Sequence, residues 1–281
     1  MRHAPTSSSD SGFALLIVLW ALLLLSILAG GYLLEARAAR TVAATAVSQA
    51  RARALADAAI NRSIVALLDP RDPLRLPLDG SPHEIQLLDH RIALRWESEA
   101  GKVDLNAAPI GLLMSILQGQ GLSDEEAAAL AKQIVVWRSP SRGSAREAAT
   151  ALYREAGRSY GPRFGPFRSI GELRLVAGMN DTLQTLITPL ITVWSNTGAI
   201  DRGVANESLL RALEAANDNL ASRQLAARQT GRAAGSDRPP ALGEVVTITA
   251  RLEMPDMVFI RIAAVQIAGD RAEPYRVLSW H

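Results

Sequence analysis

The chain has no cysteine. Disulfides, zinc held by thiolates and thiol catalysis are therefore excluded. A domain outside the cytoplasm would have to rely on its own core. Histidine is nearly as scarce, with only His3, His83, His90 and His281. The chain contains no HExxH, GxSxG or P-loop string, and so offers no constellation for a catalytic site. No catalytic residue is named, and an enzyme is not expected. Excess charge of one sign is lacking too: 30 Lys and Arg face 28 Asp and Glu, a formal net charge of +2. The arginines are spread along the chain and form no runs, which gives little support to nucleic-acid binding.

What stands out instead is an apolar run. Gly12 to Leu34 reads GFALLIVLWALLLLSILAGGYLL, with no charge from Phe13 through Leu34. As a helix it would be about 33 Å long, enough to cross the core of a lipid bilayer. The leader before it carries Arg2, is rich in Ser and ends in Gly12. A secretory signal peptide has its small residue after a shorter apolar core; here the small residue comes first. Charge argues the other way. Arg37, Arg40, Arg51 and Arg53 follow the run, and basic residues usually mark the cytoplasmic side.

Glu35 to Leu68 is Ala-rich and free of Gly and Pro, so the helix is expected to continue. Val47, Ala50, Ala54, Leu55, Ala58 and Ile64 form its apolar stripe, with Arg40, Arg51, Asp57 and Arg62 facing away. Asp69-Pro70 ends it, and Gly30-Gly31 is the place for a kink. A proline-rich loop follows. Strands are expected over Glu84–Leu88, Arg91–Trp96, Val245–Leu252, Val258–Ile267 and Tyr275–Trp280, with Met254-Pro255-Asp256 and Gly269-Asp270 as turns. The middle of the chain reads as helices. Ser123 with Glu126 has capping-box spacing and opens a helix to Arg138. Ser141 to Gly165 is expected to be loop with a short helix over Glu147–Glu155. Further helices start at Ser169 and Asp181. Gly231 to Gly243 is polar and reads as flexible. An internal echo links Gly101-Lys-Val-Asp104, leading to Ala108, with Gly198-Ala-Ile-Asp201, leading to Ala205.

Four features together resemble the K-type minor pseudopilins of type II secretion systems. They are the Gly12-Phe13 junction, the string GKVDLNAAP over Gly101–Pro109, the string FRSIGELRLVAGM over Phe167–Met179 with Leu183–Trp194 after it, and a helical insert within a sheet. The resemblance implies an α+β fold: a long pilin-like N-terminal helix on an antiparallel sheet, with an inserted all-α domain. The implied division is a prepilin leader at 1–12, membrane and periplasmic halves of the helix at 13–34 and 35–69, and the first part of the sheet at 70–105. The insert takes 106–218, a flexible linker 219–243 and the last strands 244–281.

The resemblance also implies cleavage between Gly12 and Phe13 by a prepilin peptidase. The mature protein would be a single-pass inner-membrane protein with its C-terminal domain in the periplasm. Partners would be the bilayer, other pseudopilins, and above all the I- and J-type minor pseudopilins. Ile17 occupies the position where most pilins carry Glu, which pairs with a neighbouring subunit's amine; a subunit at the tip has no such neighbour ahead of it. Asp104, Asn106, Pro109, Glu172, Leu173 and Gly178 are the insert's motif residues. No cofactor is expected. Calcium is the one metal the resemblance raises. The nearest acidic cluster, Asp124-Glu125-Glu126, is already explained as a helix start, and no loop of converging oxygens is visible. The alternative function is a membrane-anchored DNA-binding protein. Asn106–Pro109, Gly119-Gln120-Gly121 and Ala127–Arg138 resemble a helix-hairpin-helix, whose backbone N–H groups can meet a phosphate. Only Lys132 and Arg138 are basic near that hairpin, so nucleic acid is not the expected partner.

Overall fold

The N-terminal sequence forms one uninterrupted helix, α1, over Asp10–Leu68. It passes through Gly30-Gly31 without a break and stops one residue before Asp69-Pro70. The computed structural model describes residues 10–230, 237–255, 257–270 and 272–281. Most of the expected leader, residues 1–9, and the 231–236 part of the expected flexible segment lie outside the described residues, as does Asp256 of the first turn. The chain divides into two compact units, Met1–Ala54 and Leu55–His281.

In the second unit, strands β1 (His83–Leu87), β2 (His90–Ser98), β5 (Val245–Met254), β6 (Met257–Ile267) and β7 (Tyr275–Trp280) form one antiparallel sheet, in the order β1-β2-β5-β6-β7. Alternation selects the inner face. Ile92, Leu94 and Trp96 lie opposite Leu252, Ala250 and Ile248, and all six are buried. The last turns of α1 bury Leu55, Ala56, Ala59, Ile60, Ile64 and Leu67. Each large aliphatic side chain covered in this way contributes about 1.5–3 kcal/mol.

The helix stripe differs from the expected one. Val47, Ala50, Ala54 and Ala58 are exposed, while Leu55 and Ile64 are buried. Alanine on every side of the helix blurs the period, and the sheet selects the face. Asp57 does not point away. Its Oδ1 accepts from Arg261 Nε at 2.7 Å and from Trp280 Nε1 at 3.0 Å, joining the helix to β6 and β7. Arg62 turns back to Asp72, donating at 2.7 and 2.9 Å. The Asp72 carboxyl is held below its ordinary value by that bond and by the N–H of Leu74.

The insert leaves the sheet after β2 and returns at β5. It contains α2 (Ile110–Gln118), α3 (Asp124–Arg138), α4 (Gly143–Glu155), α5 (Asp181–Ile187), α6 (Glu207–Ala215) and α7 (Asn219–Gln229). A single core of Leu105, Leu113, Ile116, Ile134, Trp137, Tyr153, Leu173 and neighbouring residues holds it together. Three details depart from expectation. The insert is not purely helical, because β3 (Val103–Asp104) and β4 (Ile191–Thr192) pair in parallel inside it. Helix α4 begins four residues before Glu147. The expected linker starts as helix α7, which Asp218 caps by accepting from Leu220 N and Ala221 N.

The internal echo is a structural one. Asp104 and Asp201 each stand six residues before a helix, α2 and α6. Each accepts from the backbone N–H two residues on. Each helix then turns back into a second one, α3 or α7, so the insert holds two helical hairpins whose first helices meet.

Two polar joints fix the insert to the sheet. At the exit, Lys102 Nζ lies 2.8 Å from Glu99 Oε1 and 3.3 Å from Glu97 Oε2, and Thr247 Oγ1 of β5 donates to Glu99 Oε1 at 2.7 Å. At the return, Glu244 accepts from Ser98 Oγ and Arg238, which also reaches Asp201.

Candidate functional site: the insert staple and the N-terminal helix

The motif residues of the insert converge. Asp104 is buried at the end of β3. Its Oδ1 accepts from Asn106 N at 2.7 Å and Ala107 N at 3.1 Å; its Oδ2 accepts from Ser195 Oγ at 3.1 Å and Asn196 N at 2.8 Å. One carboxylate thus closes its own turn and fastens the loop after β4. Asn106 grips the backbone of Phe167, accepting from its N–H at 2.7 Å and donating to its carbonyl at 3.0 Å. Pro109 is the N-cap of α2, and its carbonyl accepts from Leu112 and Leu113.

The second motif docks on the first through Phe167. Its ring stacks on Trp137 at 6.0 Å, and Trp137 lies 6.3 Å from Tyr153, whose hydroxyl accepts from Ala177 N at 3.0 Å. Glu172 lies in a 3-10 turn over Ile170–Leu175. It accepts from Arg163 at 2.7 Å and from Arg168 N. Leu173 is fully buried. Gly178 has φ +88, a left-handed backbone that glycine adopts without strain. Asp104, Asn106, Pro109 and Glu172 therefore satisfy backbone groups around the insert core, Leu173 fills that core and Gly178 turns the chain; the six are together a staple.

Sequence reasoning missed Arg138, Trp137 and Tyr153 as its partners. Arg138 donates to the carbonyls of Leu105 and Ala108, at 2.6 Å each. Burial holds its guanidinium below the ordinary value, against the charge of Asp104. One of the two cations beside the Gly119–Gly121 hairpin is thus spent inside the protein, and Lys132 is left. The acidic triplet does not fit calcium. Glu126 closes a capping box with Ser123, Asp124 accepts from Gln118, and no group of three or more metal-binding side chains is placed together among the described residues.

Asn106→Ala is expected to cost about 2 kcal/mol, because two Phe167 backbone groups lose their partners. Chemical denaturation measures it, and an unchanged midpoint would remove the staple.

Gly12, Phe13 and Ile17 all lie within α1. Phe13 and Ile17 are exposed, as is every described side chain from Leu15 to Leu28. A helix apolar on all sides needs an apolar surrounding or partner helices. Among the described residues no helix is long and apolar enough to cross a membrane.

With the staple and the sheet in view, comparison with known proteins becomes specific. The family model for type II secretion system (T2SS) protein K matches residues 92–196. This region is similar to that family over its whole matched length. The match runs from β2 through both motifs to just past β4, and so covers every residue of the staple; it is less than half of the chain. No curated protein matches the chain. Among solved structures, this chain resembles a chain of the crystal structure of the GspK-GspI-GspJ complex from the type 2 secretion system of enterotoxigenic Escherichia coli. The TM-score is 0.55 at 15% identity, over 83% of this chain and 97% of that one. At that identity the likeness is one of fold, and the α+β pilin-like arrangement holds.

Proposed function

We propose that this chain is a minor pseudopilin. It joins the I- and J-type minor pseudopilins at the tip of the type II pseudopilus and supports export of folded proteins across the outer membrane. The observation that carries this reading is the protein K match lying across the staple, inside a fold that pairs a long N-terminal helix with an antiparallel sheet. The helix would do two jobs. Its charge-free part from Phe13 to Leu34 would cross the inner membrane, and its alanine-rich part would hold the periplasmic sheet. Cleavage after Gly12 by a prepilin peptidase would free the Phe13 amine. Ile17, in place of the usual Glu, suits a subunit with none ahead of it, since a buried carboxylate in lipid is costly without a partner. The staple residues would be structural, giving the insert a fixed shape at the exposed end.

Mass spectrometry of the mature membrane protein, made with the prepilin peptidase present, tests this reading. An N-terminus at an N-methylated Phe13 is the expected result. A start at Met1 would mean a plain anchor, and a start near Gly31 an ordinary secreted protein; either would end the pseudopilin reading.

A further inference from the structure

The exposed side of helix α4 carries chemistry that neither the staple nor the pseudopilin reading uses. Ser141 to Gly165 contains five arginines and two glutamates, a net +3 in a chain whose whole charge is +2. Arg142, Arg146, Arg154 and Arg158 recur on a four-residue step, with Thr150 filling the gap. Arg146 and Arg154 lie two turns apart within α4, Arg142 is its N-cap residue and Arg158 follows its C-terminal turn, so the ridge is made of the helix and both its ends. Arg142, Arg146 and Arg154 are exposed and Arg158 is half-buried. Among the described residues, none of the four is within ion-pair distance of a carboxylate.

This ridge does not serve the helix. Arg142 at the N-cap and Arg146 in the turn after it sit toward the positive end of the helix dipole, and only Arg154, in the last turn, suits it. Two of the arginines are nonetheless held in place. The loop folds back along α4, with Tyr160 edge-on to Tyr153 at 6.0 Å. The Arg146 guanidinium lies 4.5 Å over the Phe164 ring, and that of Arg158 lies 5.6 Å over Tyr160 and bonds its hydroxyl. Stacking occupies the flat face of a guanidinium and leaves N–H edges for an acceptor.

We propose that the α4 ridge is a docking surface for an acidic patch on a partner protein. Forked guanidinium groups match carboxylates, and arginines ordered by aromatic rings lose less entropy on binding. Glu147 and Glu155 sit exposed among the arginines. They would repel a uniform polyanion such as an anionic bilayer, whereas a protein can set a cation against each. Tyr160, 37% exposed beside Arg158, adds the aromatic contact that protein interfaces favour. The inference rests on the ridge alone and is independent of the pseudopilin reading.

The test uses the full chain in neutral detergent. A fluorescent peptide of alternating Glu and Leu is the probe, and its Gln counterpart the control. The acidic peptide is expected to bind at low salt. Arg142→Glu/Arg146→Glu/Arg154→Glu should weaken it about tenfold or more, while Arg211→Glu/Arg251→Glu, exposed elsewhere, should leave it unchanged. If circular dichroism shows that the charge-reversed chain misfolds, the Arg→Gln triple at the same positions decides. Equal binding by triple and parent, equal binding of the Gln peptide, no binding at all, or ridge-dependent binding to phosphatidylglycerol vesicles in place of the peptide would each overturn the proposal.

Discussion

Lys102→Ala is expected to cost about 3–5 kcal/mol, the loss typical of removing one partner from a buried ion pair. Lys102 is 8% exposed and Glu99 1%. Without the ammonium, the Glu99 carboxylate keeps only the Thr247 hydroxyl, and a buried unpaired charge is far more costly than a lost surface contact. Surface pairs such as Arg211–Glu207 are worth about 0–1 kcal/mol, so their removal is the control. Lys102→Met with Glu99→Met should recover much of the loss, because an apolar pair of similar volume removes the stranded charge as well. Urea denaturation measures all three. A Lys102→Ala midpoint equal to the parent's would mean that the joint carries no load.

The same joint sets a pH dependence. Burial acts to lower the Lys102 ammonium, but the charges of Glu99 and Glu97 and their hydrogen bonds outweigh it, and the net shift is upward from 10.5. A group whose folded value is raised stabilises fully below its unfolded value and loses that contribution as pH rises through the folded one. Parent stability should therefore decline in alkali above pH 10.5, and the double Met variant should lack that component.

Much of this architecture was legible in the sequence, for identifiable reasons. The five sheet strands were readable because they are rich in β-branched and aromatic residues and because apolar side chains alternate, as in Ile92, Leu94 and Trp96. The helix end at Asp69-Pro70 and the capping box at Ser123 were readable because proline and capping chemistry act locally. Contacts between distant segments were not. Asn106 meets Phe167 across 61 residues, and nothing in either string names the other. The β3–β4 pair is two residues long on each side, too short to leave a periodic trace. Asp57 and Arg138 read as surface charges because an ionised side chain in a helix carries no local sign of a distant partner. Only the fold shows that the first reaches Arg261 and Trp280 and the second reaches two carbonyls. Helix α7 was hidden by polarity, since only Ala221 of it is buried. Its one signal was Asp218, an N-cap type before Asn219-Leu220.

Gly101→Ala should cost about 3 kcal/mol, at the upper end of what one added methyl does in a packed region. A Cβ on Gly101 would lie 2.6 Å from the Val204 carbonyl oxygen and 2.8 Å from both the N and Cα of Ala205. These are backbone atoms at the turn into α6 and cannot swing aside as a side chain would. The echo supplies an internal control. Gly198 holds the matching place in the second copy and faces the first copy's Ala107 carbonyl oxygen, but a Cβ there would lie 3.0 Å away. Gly198→Ala should therefore cost clearly less, about 1 kcal/mol. For a unit of this size, Gly101→Ala should lower the melting temperature by about 6–12 °C. The ranking is the decisive part. If Gly198→Ala proves as harmful as Gly101→Ala, or if neither moves the midpoint, the two hairpins are not held together by this close approach.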